Sequence, residues 1–249
     1  MSGMIKNHAL YLTALSDVKQ WISDTDMDVN NLMAVIHNPV ISPKQSYEVN
    51  SYYRCVMLYT VVTRLRKIRE MVNRKFYRKK KDNPRELAIE YHINQYYIYS
   101  AVYQSGMDVS LRLVNAVLHF NYPHNNGLRG KILNSAYVKD CQLGRILLDL
   151  GKKTKTYRDI KNLLLHEGKG SRPPINLQRP SGNEIKLLSK EYGQNSDFVK
   201  SVLNSIFTSQ ESNILGAKMD KESNNLENIV RRLMDELLPH YNRIHTDFS

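Results

Sequence analysis

Few breakers interrupt this chain: 11 glycines and 8 prolines in 249 residues. An average chain carries about 7% Gly and 5% Pro, so both are scarce here. A sequence so poor in breakers and so rich in Leu, Lys, Glu and Asn is biased towards helix. No extended alternation of apolar and polar residues offers a sheet, and no internal repeat is visible. The expected fold class is all-α, an elongated helical bundle. The length suits a single helical domain over 1–249 with a core that needs no disulfide help.

Exclusions follow from composition. Hydrophobic residues make up 41% and charged residues 24%, which rules out wholesale disorder. Two cysteines, Cys55 and Cys141, supply neither a disulfide scaffold nor a cysteine-only zinc site. That suits a reducing, cytoplasmic setting. The N-terminal apolar stretch is interrupted by Ser16, Asp17 and Lys19, unlike a signal peptide. The longest mostly apolar run, Cys55 to Val62, is far too short to span a bilayer, so no membrane is expected.

Positive charge is concentrated. The net charge is +12, and residues 64–81 (RLRKIREMVNRKFYRKKK) hold ten Lys or Arg against one Glu. That block supplies +9, leaving +3 for the rest of the chain. Leu65, Ile68, Val72 and Phe76 recur within it at helical spacing, predicting an apolar stripe with basic residues facing water. Two readings stand side by side. The block is a solvated helix end, or it is a phosphate-binding rim in which Arg74, Lys75, Arg78, Lys79, Lys80 and Lys81 hold a nucleic-acid backbone.

Along the chain, residues 5–23 read as an amphipathic helix and 38–50, with Pro39 and Pro43, as a loop. A long helix is expected from about Glu48 to Arg78. Asn83, Pro84 and Glu86 form a strong start signal for the next one. That helix carries His92, Tyr96, Tyr99 and Tyr103 on one face, read as a packed core stripe in preference to a base-stacking platform. It continues to Phe120, with Gly106 marking a kink or a close helix contact. Residues 121–130 (NYPHNNGLRG) read as a break, followed by helices over 136–150 and 153–167. Residues 168–182, with Lys169, Arg172 and Arg179, read as a connecting loop. The Ser181–Glu184 capping box opens a C-terminal region with helical segments near 183–192, 196–215 and 222–245.

Chemistry-bearing motifs are few. The chain has no phosphate loop, dinucleotide fingerprint or zinc-ligand spacing. Neither a metal nor any other cofactor is implied. His8, His37, His124, His240 and His245 have ordinary settings, and His119 reads as a satisfied helix-end residue. One segment, TYRDIKNLLLHEGKG at 156–170, stands apart. Arg158, Asn162 and His166 follow one another at four-residue steps and so share a helix face, with Lys161 beside them. Spacing alone leaves an ordinary C-terminal histidine, favoured there by the helix dipole, as the simpler reading.

The same segment resembles the RNxxxH signature of HEPN domains, the helical "higher eukaryotes and prokaryotes nucleotide-binding" superfamily. Lys161, Asn162 and His166 fall on its Arg, Asn and His. Residues 89–123 resemble the central helices, and the likeness covers roughly 85–170. The resemblance implies a HEPN-like core at about 50–170, with additional N- and C-terminal helices, the latter at about 181–249. It also implies an RNA partner, a homodimer through the motif helices, and a toxin or defence role with a cognate protein partner. The implied activity is metal-independent RNA cleavage, with His166 as general acid or base, Asn162 orienting, and Lys161 or Arg158 stabilising phosphorane charge. Lys161 departs from the signature arginine, replacing a planar bidentate fork by a point charge. The alternative is therefore a HEPN-like protein that binds RNA or a partner without cutting.

Overall fold

The computed structural model describes residues 5–23, 35, 41–72, 84–125, 127–167 and 211–248. Within these, the side chains of 84–90, 92, 93, 159–167 and 211–215 lie outside the description. Among the described residues six helices are formed: α1 (Ala9–Ile22), α2 (Pro43–Val72), α3 (Pro84–Val117), α4 (Leu128–Leu133), α5 (Gln142–Glu167) and α6 (Glu211–Asp247). Among the described residues there is no strand, as the scarcity of breakers predicts. The protein is an all-α bundle.

The chain divides into two compact units. The first comprises Met1–Thr63, Ser105–Lys153 and Asn225–Ser249, and the second Arg64–Gln104 and Thr154–Asn224. Helices α2, α3, α5 and α6 each contribute to both.

Local chemistry sets several of the helix ends. His8 precedes α1, and its Nδ1 accepts from the Leu10 backbone N–H at 3.1 Å. That bond leaves the proton of the neutral ring on Nε2, which donates to Asp235 on α6 at 2.9 Å. Helix α2 starts earlier than Glu48. The Ser42 backbone N–H donates to the Gln45 side chain at 2.8 Å, and Gln45 N–H donates to Ser42 Oγ at 3.2 Å. This reciprocal capping box, with Pro43 at the first helical position, overrides the expected 38–50 loop. Helix α3 starts at Pro84 as expected.

Other boundaries move because packing outweighs propensity. Helix α3 runs through Gly106, where a Cβ would stand 3.2 Å from Leu226, so this glycine marks a close helix contact. It ends at Val117, short of Phe120. His119 and Asn121 then take left-handed φ of 52° and 55°, and Asn115 pins the turn by bonding both the N–H and the C=O of Tyr122 at 3.1 Å. The expected break at 121–130 contains the first half of α4. The expected helix from Ala136 begins at Gln142 instead, after a turn over 136–140. A Cβ on Gly144 would fall on the Val138 carbonyl oxygen, so the turn depends on that glycine. No break separates 150 from 153, and Gly151 lies inside α5.

Helix α6 is one helix with Pro239 inside it. Its buried residues Met219, Ser223, Leu226, Val230, Leu233, Leu237 and Tyr241 recur in steps of four or three. That is the seam of a helix whose stability comes from one buried stripe. The readings over 168–210, including the connecting loop, the Ser181–Glu184 box and the segments near 183–192 and 196–210, lie outside the described residues.

Candidate functional site

The motif helix α5 enters the second unit at Thr154. Its anchor there is Tyr157, buried against the tyrosine face of α3. Ring centroids lie 4.4 Å from Tyr103, 5.9 Å from Tyr99 and 6.4 Å from Tyr96. Tyr96, Tyr99 and Tyr103 are all buried, so their stripe is packed core and not a stacking platform for bases. The side chain of His92, expected on the same stripe, lies outside the described residues. Tyr99 Oη donates to the Met219 carbonyl oxygen at 3.0 Å and lies 3.0 Å from Ser223 Oγ, which ties α3 to α6.

Arg158, next to the anchor, is half-buried. The α5 backbone is helical through Glu167, so Asn162 and His166 have true helical spacing. The side chains of Lys161, Asn162 and His166 lie outside the described residues. Helix register still distinguishes these positions. Lys161 falls in the seven-residue row of Leu147 and Thr154, both buried. Asn162 falls in the row of Leu148 and Lys155, and His166 in that of Arg145 and Lys152, all four exposed.

The start of the basic block belongs to the same unit. Leu65, Ile68 and Val72 are buried while Arg64, Lys67 and Glu70 are exposed, as the amphipathic reading predicts. Arg69 pairs with Asp220 of α6 at 2.6 Å. Arg74, Lys75, Phe76, Arg78, Lys79, Lys80 and Lys81 lie outside the described residues.

Glu222 was not foreseen. It lies on α6, its charge is felt by Tyr96 and Tyr99, and among the described residues its buried Oε2 has no hydrogen-bond partner. Burial pushes its carboxyl up from 4.5 to about 7. The Tyr157 hydroxyl is likewise buried without a partner. A carboxyl that titrates near neutrality has the right range for proton transfer. No sequence signal separates Glu222 from the other acids of α6.

The first unit holds a different carboxylate arrangement. Glu48 Oε2 accepts from the Trp21 indole N–H and Oε1 from His245 Nε2, each at 2.7 Å. Asp17 accepts from the Tyr241 hydroxyl at 2.8 Å and lies 3.8 Å from His245. Tyr241 stacks on Tyr47 at 5.4 Å. This network fastens the end of α6 to α1 and α2, giving His245 a structural task that its sequence setting did not suggest.

Among the described residues, no cluster of His, Cys, Asp or Glu could hold a metal ion. Nor is any described helix long and apolar enough to cross a membrane. No family model, curated protein or solved structure matches the chain.

Proposed function

We propose that this is a HEPN-like RNA-binding protein whose α5 carries the RNA site and cleaves RNA without a metal. Two copies acting as a homodimer bring their motif helices together, and a toxin or defence setting in the cytoplasm, with a cognate protein partner, suits such an activity. The observation that carries the reading is the membership of the second unit. It contains the motif helix from Thr154 and, among the described residues, the start of the basic block from Arg64 to Val72. A titratable group and a polycationic stretch in one compact unit are what phosphodiester chemistry needs. In this mechanism His166 takes the proton of the ribose 2′-hydroxyl as that oxygen attacks the adjacent phosphorus. Charge on the phosphorane is balanced by Lys161 or Arg158, and Asn162 orients the histidine. The bond from phosphorus to the 5′-oxygen breaks, that oxygen takes the proton back from the His166 imidazolium, and the products are a cyclic phosphate and a free 5′-hydroxyl.

A second reading, binding of RNA or a partner without cleavage, is favoured by register. Lys161 shares its helix row with buried positions, whereas Asn162 and His166 share rows with exposed ones. With Lys161 on another row than His166, the cation left on the histidine's face is Arg158, about one turn away from the signature position. The deciding assay incubates structured and unstructured RNA with wild type, His166→Ala and Lys161→Arg in the presence of chelator. Cleavage lost in His166→Ala supports the nuclease. Salt-sensitive binding without cleavage in any variant supports the second reading. Absence of both sinks the RNA proposal.

A further inference from the structure

In the first unit, among residues the RNA reading does not use, Arg54 and His124 meet without an acid, and both feel the charge of Arg112. Arg54 lies on α2, Arg112 on α3 and His124 in the segment after α3. Arg54 Nη2 stands 3.4 Å from His124 Nε2. Its Nη1 donates to the Met57 thioether sulfur at 3.4 Å, a weak acceptor. Its Nε is buried with no partner among the described residues. The Tyr53 ring lies 5.1 Å below the guanidinium carbon and holds its plane.

A guanidinium has five donors and a large desolvation cost, normally met by a carboxylate or several carbonyls. Here the partners are a thioether and an imidazole nitrogen. Among the described residues no acid pairs with Arg54 or Arg112. Asp108, one turn before Arg112 on α3, is exposed and makes no ion pair with it. The like charges are felt. Burial first, and then Arg112, lower the affinity of Arg54 for its proton. Burial, then Arg54 and Arg112, depress His124. Uncompensated positive charge on this scale is a cost that a bound anion removes.

We propose that Arg54, Arg112 and His124 form a binding site for a phosphate group. The planar fork of Arg54 offers two parallel N–H groups to two phosphate oxygens. Arg112 supplies a second charge, and the ring N–H of His124 donates a third contact. Selectivity then depends on phosphate charge: a terminal monoester, carrying close to two negative charges, is held more tightly than a chain diester carrying one.

The test follows the His124 ring by proton NMR at fixed pH, with His124→Gln used to assign its resonance. The full-length protein is titrated with inorganic phosphate against chloride at equal ionic strength. The expected result is a saturable His124 shift with phosphate alone, weakened about tenfold or more in both Arg54→Gln and Arg112→Gln. Circular dichroism melts verify that these variants fold. A shift that does not saturate, or that chloride reproduces, overturns the site, and wild type alone decides that outcome. Retention of full affinity in a folded Arg112→Gln also overturns it. An oligoribonucleotide with and without a 5′-phosphate separates the sources, with the phosphorylated end expected to bind at least about tenfold better. Equal binding of the two removes the monoester assignment. His166→Ala should leave the phosphate titration unchanged, so failure here is distinct from failure of the RNA-cleavage reading.

Discussion

Glu48 and Glu222 make an instructive pair. Glu48, in the first unit, is 3% exposed, yet both its oxygens accept a short bond, from Trp21 and from His245. Glu222, in the second unit, is less buried, but one oxygen meets no donor among the described residues, and burial drives its carboxyl up to about 7. Burial by itself does not decide what a carboxylate does. The donors that surround it do. The first arrangement is a fastening, while the second leaves a titratable group uncompensated in the unit that contains the motif helix.

The largest effect should come from breaking the satisfied site. Glu48→Ala leaves the Trp21 N–H and His245 without their acceptor, and is expected to cost about 3–5 kcal/mol in denaturant unfolding. A loss below about 1 kcal/mol would show that solvent replaces the carboxylate at no great cost.

The next effect depends on pH. The folded chain favours protonated Glu222, so its stabilising contribution is complete below 4.5 and is lost as pH rises through about 7. Glu222→Gln should therefore unfold like wild type at low pH and be more stable by roughly 1–2 kcal/mol at pH 8, allowing for solvent screening. Parallel stability profiles for the two proteins would mean that Glu222 keeps an ordinary pKa.

Tyr99→Phe tests the tie between α3 and α6 beside Glu222. Loss of the contacts to Met219 and Ser223 should cost about 1–2 kcal/mol. The smallest change belongs to the partly exposed pair Arg69–Asp220. Asp220→Asn should shift stability by only about 0.5 kcal/mol, less still at high salt.

Some of this was legible in the residues. The spacing of Leu65, Ile68 and Val72 predicts their burial, and the three-four spacing of Tyr96, Tyr99 and Tyr103 predicts a packed stripe. The Pro84 start was visible for the same reason: its signals lie within four residues of one another. The Ser42–Gln45 box was equally local, and Pro39 and Pro43 drew attention from it. For the candidate site, helical spacing of Asn162 and His166 was readable from sequence, and α5 runs through both. Glu222 and Arg54 were not readable, since their states depend on groups brought in from other helices.

The sequence by itself determined the class of fold. Helix bias and buried stripes are properties of neighbours three and four residues apart, and they survive without knowledge of the rest of the chain. Tertiary structure alone decided where helices persist through Gly151 and Pro239, because packing of a whole stripe outweighs one unfavourable residue. It also decided which charges find partners. His245 reaches Glu48 across 197 positions and Arg54 reaches His124 across 70. Electrostatic environment depends on distance in space, and local sequence carries no record of it.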